Sequence, residues 1–118
     1  MTNSTILMVT DDDEQRELFD LVLTRGGFRV DAVADAESAL ERLAEHLYAL
    51  LLTDYDLPGM SGPALIALVR QRWPAIRIVL MSNYPHVREL AAELDVDGSF
   101  NKIDIFQLPR ILQAVLQR

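Results

Sequence analysis

Carboxylates, a hydroxyl and an ammonium stand at the ends of short apolar runs in this sequence. Thr10-Asp11-Asp12 follows Ile6-Leu7-Met8-Val9, Asp54 and Asp56 follow Leu50-Leu51-Leu52, Ser82 follows Val79-Leu80-Met81, and Lys102 follows Phe100-Asn101. Carboxylates gathered without a fixed positive partner repel one another, so a cation is expected among them. All-oxygen ligation selects a hard cation, and few protein ligands with several retained waters suit Mg²⁺. A carboxylate beside such an ion is a competent phosphoryl acceptor. Phosphoryl transfer is mostly positioning and charge neutralisation. Ser82 can donate to one phosphate oxygen, Lys102 can neutralise another, and backbone N–H groups after Asp54 can serve a third.

Each residue also has a plainer use. Asp11 and Asp12 suit the start of a helix, where an acidic side chain caps free N–H groups. Asp56 suits the turn before Pro58, Ser82 a cap or turn near Pro85, and Lys102 a solvated surface. Tyr84 either gates a phosphate site or is an exposed loop aromatic, and His46 and His86 read as surface residues. What separates the two sets of readings is whether one sheet edge brings these residues together.

The elements that would do so are legible in the pattern. Ile6–Val9, Ala49–Thr53 and Ile76–Met81 are short apolar runs, as in strands buried on both faces of a parallel sheet. Phe28–Val33 alternates apolar and polar residues, which predicts an edge strand, and 97–102 reads as a short, weak fifth. Between them lie amphipathic stretches: Leu18, Leu21 and Val22 with Phe19, ended by Gly26-Gly27; Ala36, Ala39, Leu40, Leu43 and Leu47, capped by Asp35; Leu65, Ile66, Leu68 and Val69, opened by Gly62-Pro63 and closed by Trp73-Pro74. Val87, Leu90, Ala91 and Leu94 follow Pro85, and Leu108, Ile111, Leu112 and Val115 follow Gln107. Five strands alternating with five helices predict an α/β fold, a doubly wound five-stranded parallel sheet of order 2-1-3-4-5. Its switch point falls between strands one and three, whose carboxyl ends carry Asp11 and Asp54.

Composition narrows the function classes. With 118 residues, half of them hydrophobic, residues 1–118 suit one domain. There is no cysteine, which excludes disulfides and thiolate metal sites and suits a reducing compartment. Eleven basic against 18 acidic residues, a net charge of −7, argue against a nucleic-acid binder. Met1-Thr2-Asn3-Ser4 lacks the charged and apolar regions of a secretory signal, and no apolar run approaches the roughly 20 residues of a membrane span. A cytoplasmic protein without membrane contact is expected.

The chain resembles the receiver domain of two-component response regulators, in the manner of the chemotaxis regulators, over essentially its full length. The resemblance is carried by Ile6–Val9 and the acids after it, by Thr53-Asp54-Tyr55-Asp56-Leu57-Pro58-Gly59-Met60-Ser61-Gly62, by Val79–Ser82, and by Gly98 with Lys102; the block around Asp54 is the most specific. It implies that Asp54 accepts a phosphoryl group from a sensor histidine kinase or a phosphotransfer protein, in a Mg²⁺-dependent reaction. It further implies that Asp11, Asp54 and the backbone carbonyl of Asp56 hold the ion, that Ser82 is the coupling hydroxyl and that Lys102 binds phosphate. An unidentified downstream effector would read the switched surface, and helices four and five could pair two copies. On this reading the chain is no enzyme in the usual sense, but a phosphoacceptor that assists its own phosphorylation and dephosphorylation.

The sequence also departs from the family's pattern. In the register set by Ile6–Val9 and Arg16, the first of the usual two acids is Thr10, and Asp11 keeps the direct metal position; a slip of one residue would make the pair Asp11 and Asp12. Ile103 replaces the proline after the lysine, so a trans Lys102–Ile103 bond is expected. Ser99 stands where an aromatic switch residue follows Gly98, and Phe100 comes one place later. Two alternatives remain open. One is a receiver that binds partners without phosphorylation. The other is a phosphatase of the haloacid-dehalogenase type, with Asp54 as nucleophile and Asp56 as general acid; that family places the motif on its first strand in a longer chain.

Overall fold

Strand β3 (Leu50–Asp54) is buried along its whole length and lies at the centre of the sheet. The computed structural model describes residues 5–118, so the reading of Met1–Ser4 lies outside the described residues. β1 (Thr5–Val9) pairs with β3 on one side and with β2 (Arg29–Val33) on the other, while β4 (Arg77–Ser82) and β5 (Gly98–Asn101) extend the sheet beyond β3. All pairings are parallel and the order is β2-β1-β3-β4-β5, as the sequence predicts.

Because side chains alternate along a strand, the apolar runs feed two cores. Leu7, Val9, Leu51, Ile78 and Leu80 face α2 (Ala36–Glu45), α3 (Gly62–Arg72) and α4 (Val87–Leu94). Ile6, Met8, Leu50, Leu52, Val79 and Met81 face α1 (Asp13–Arg25) and α5 (Leu108–Leu116). Phe100 of β5 joins the second core, edge-on to Phe19 with ring centroids 5.9 Å apart, and Ser99 points from the opposite side of the strand.

Helix boundaries follow local chemistry. Asp12 caps α1 through Gln15 N–H, Asp35 caps α2 through Ser38 N–H at 2.7 Å, and Ser61 caps α3 with Pro63 in its first turn. Gly27, with φ +95°, supplies the left-handed residue that turns the chain out of α1.

Three expectations are corrected. On α1 the buried pair is Phe19 and Leu23, whereas Leu18 and Leu21 are 48% and 49% exposed. The larger aromatic ring sets the helix rotation and carries its own stripe inward. α2 ends at Glu45 with His46 as its C-cap, so Leu47 leaves the helical face and is 89% exposed. β5 stops at Asn101, where the sequence suggests a strand running on to residue 102, and Lys102–Gln107 form a 3₁₀ segment. The peptide bonds of the described residues are all trans, Lys102–Ile103 included. No helix among the described residues is long and apolar enough to cross a membrane.

Candidate functional site

The carboxyl ends of β1, β3 and β4 and the residue after β5 open into one cleft of about 820 Å³. Asp11, Asp12, Asp54, Asp56, Ser82 and Lys102 all line it, with Gln15 and Tyr84 among its other walls. The register explains the gathering: Val9 pairs with Thr53, Asp54 with Met81, and Ser82 with Asn101, so each chemical residue ends or just follows its strand at one level.

Asp54 lies at the floor and is only 3% exposed. Lys102 Nζ stands 2.5 Å from its Oδ1. Burial pushes the Asp54 carboxyl above its ordinary range; the Lys102 ammonium and the adjacent Thr10 hydroxyl pull it back, and the Asp11 charge pushes it up again. Despite the ion pair, Asp54 Oδ1 has no aligned hydrogen bond, and the buried Thr10 Oγ1 shares that state. A buried carboxylate oxygen without an aligned donor, beside an exposed second carboxylate at Asp11, is a place where a hard cation is stabilised.

The other expected residues are present in altered company. Asp12 spends a carboxylate oxygen on the α1 N-terminus, accepting from Gln15 N–H at 3.0 Å, so its capping role is real although it borders the cleft. Thr10 is fully buried at the end of β1 and Asp11 is exposed to the cleft. The Asp56 carboxylate turns to Tyr84 and accepts its hydroxyl proton at 2.8 Å. Ser82 Oγ accepts from Tyr84 N–H at 3.0 Å, so the turn role holds while its hydroxyl proton stays free to donate into the cleft. Among the described residues no three carboxylate or imidazole groups form a ready cage. Asp11 and Asp54 are the cleft carboxylates that could hold such an ion.

Gln15 was not visible in the sequence as a partner in this network, and for Tyr84, weighed there as a gate or a loop aromatic, the contact with Asp56 was not. Gln15, on the first turn of α1, accepts from Lys102 Nζ at 2.8 Å. Tyr84 bridges Ser82 and Asp56, and its ring meets Tyr55 edge-on at 6.2 Å. For Gln15 nothing in the local pattern marks the contact, because its partner lies after the last strand. Below the floor, the start of α3 is pressed against the acceptor's backbone: a Cβ at Gly62 would lie 2.1 Å from the Asp54 carbonyl oxygen. Tyr55 N–H is held by Met81 O at 3.0 Å, which fixes the first loop residue beyond Asp54.

A family model for the response regulator receiver domain matches residues 6–115. The response regulator protein FleR of Pseudomonas aeruginosa is 39% identical over 79 residues, 67% of this chain and 17% of that protein. The transcriptional regulatory protein TctD of Salmonella typhimurium is 28% identical over 116 residues, 96% of this chain and 52% of that one. The chain thus spans about half or less of the length of these relatives. The crystal structure of response regulator TrrA from Thermotoga maritima, in complex with Mg²⁺-BeF, superposes with a TM-score of 0.86 at 26% identity, covering 95% of this chain and 98% of that one.

Proposed function

Given that the chain belongs to the response regulator receiver domains of two-component systems, we propose that Asp54 is its phosphoryl acceptor. The observation that carries this reading is the buried Asp54 carboxylate under the Lys102 ammonium, at 2.5 Å, on the floor of the shared cleft. An Asp54 oxygen forms a P–O bond as the P–N bond of a donor phosphohistidine breaks, and the imidazole leaves with the electron pair. Lys102 neutralises charge on the transferred group, and the Ser82 hydroxyl donates to one of its oxygens. Asp11, Asp54 and the Asp56 backbone carbonyl would hold Mg²⁺, with Asp12 committed to its helix cap. Bound there, the ion supplies charge neutralisation to the phosphoryl oxygens.

The donor on this reading is a sensor histidine kinase or a phosphotransfer protein. The reader is a downstream effector or a second copy meeting α4 and α5. Two features stand against the phosphatase alternative: Asp54 ends the third strand, and the Asp56 carboxylate is engaged by Tyr84 rather than free as a general acid. Incubation with acetyl phosphate and Mg²⁺ should place a single hydroxylamine-sensitive phosphate on the protein, seen by intact mass. Asp54→Asn should take none. A protein that stays unlabelled would instead be a phosphorylation-independent interaction module.

A further inference from the structure

Lys102 has one partner that the ion pair with Asp54 does not explain. Its Nζ donates to Gln15 Oε1 at 2.8 Å while standing 2.5 Å from Asp54 Oδ1, and the lysine side chain is only 11% exposed. Gln15 is itself fixed at its base. Its backbone N–H donates to the Asp12 cap at 3.0 Å, and the next residue, Arg16, reaches back to the Thr10 carbonyl at 2.9 Å. The first turn of α1 is thus moored to the loop carrying Asp11, and from that mooring one amide oxygen extends to the lysine.

The chemistry of the pair is specific. An ammonium has three donors and sits on a flexible four-carbon stem. Gln15 occupies one donor position by a hydrogen bond while Asp54 faces the ammonium as an ion pair, which leaves a donor for an arriving group. An amide oxygen orients the ammonium without neutralising it. It therefore keeps the charge at the cleft, where water alone would let it wander.

We infer that Gln15 is a positioning residue for Lys102, holding its ammonium beside Asp54 and so setting how fast the acceptor is phosphorylated. This rests on the reading of Asp54 as acceptor. It also gives α1 a direct link to the reacting group through a side chain that could as well have been apolar, since Phe19 and Leu23 already supply the buried stripe of that helix.

Two variants test it. Gln15→Leu removes the acceptor at similar length and helix propensity, and Gln15→Glu retains an acceptor oxygen. Initial rates of phosphorylation by acetyl phosphate are measured together with Mg²⁺ affinity by titration calorimetry. Gln15→Leu should lower the maximal rate about tenfold, the size of one charge-assisted hydrogen bond. The half-saturating acetyl phosphate and the Mg²⁺ affinity should not change. Gln15→Glu should recover most of the rate. A purely structural role would displace the Asp11 loop and weaken Mg²⁺ binding in step with the rate, and that result overturns the inference. So does a wild-type rate in Gln15→Leu, or a Gln15→Glu rate as low as that of the leucine variant. If the wild-type protein takes no label, the acceptor reading falls and this inference with it; label on the wild type with an unaffected Gln15→Leu removes this inference alone.

Discussion

A Cβ on residue 62 would lie 2.1 Å from the Asp54 carbonyl oxygen and 2.8 Å from that of Tyr55. The start of α3 therefore rests directly on the backbone that presents the acceptor, and Gly62 N–H completes the contact by donating to Tyr55 O at 3.0 Å. Gly62→Ala must drive two pieces of backbone apart, with no flexible side chain to yield. It should destabilise the protein by about 3 kcal/mol or more in urea unfolding and abolish phosphorylation in whatever folds. Gly59→Ala is the control. Its φ of +72° carries a backbone penalty of about 1 kcal/mol, but the nearest atom to its Cβ, Glu37 Oε1, is 3.7 Å away.

Burial works against the charge of Asp54 in the folded protein. Its folded pKa is raised above the ordinary 3.8, so the folded state binds the proton more tightly than the unfolded one. Stability contributed here is greatest in acid and is lost as pH rises through the raised value, after which the full cost of the buried charge remains. Stability of Asp54→Asn relative to the wild type should rise as pH climbs from acid to neutral, and the difference should fade as pH falls. Asp35, held below its ordinary value by its Ser38 bonds, slopes the other way in both proteins, so the difference curve isolates Asp54. Thermal unfolding across the acid range measures it; parallel curves would contradict the assignment.

Tyr84 lies across the mouth of the cleft, tied to Asp56 at 2.8 Å and edge-on to Tyr55. On the acceptor reading it limits the approach of water to a phosphorylated Asp54. Tyr84→Ala should hasten loss of the label several-fold after acetyl phosphate is removed, with stability changed by less than about 0.5 kcal/mol, since the residue is exposed. An unaltered half-life of the label would reduce Tyr84 to a surface ring.

On the far side of the sheet's switch point, Tyr48 donates its hydroxyl proton to Asp31 Oδ2 at 2.5 Å. Burial, reinforced by Asp31, raises its pKa above the ordinary 10.0. The folded state keeps this proton where the unfolded state releases it, so the contribution is complete below pH 10 and is lost as pH climbs beyond it. Tyr48→Phe should cost about 1–2 kcal/mol at neutral pH and should flatten the alkaline fall in stability seen by denaturant titration. Wild-type and variant curves that fall together above pH 10 would show the bond to be immaterial.

The strands and their order were legible because β1, β3 and β4 are short, mostly apolar runs buried but for the first residue of β1 and of β4, for which a sheet covered on both faces is the economical solution. The acids at their ends could then be placed by topology alone, and the cleft contains them. Helical rotation was harder. Leu18 and Leu21 fit a helical stripe as well as Phe19 and Leu23 do, and only the packing against Phe100 decides between them. Leu47 fits the α2 stripe by number, but the helix stops before reaching it. What stayed illegible is tertiary: Gln15 meeting Lys102, and Tyr84 meeting Asp56, join segments whose closeness no local spacing encodes.

The parallel sheet also imposes an order of arrival. No hairpin can close any of its ladders, and each strand waits for a crossover before it finds its neighbour. During synthesis, which runs from the N-terminus, Asp11 and Asp54 emerge well before residue 102. A partly made chain therefore holds this acidic pair before the ammonium that pairs with Asp54 exists. Docking of β5 delivers the last ladder and the partner of Asp54 together, which ties the closing of the sheet to the pairing of its buried charge.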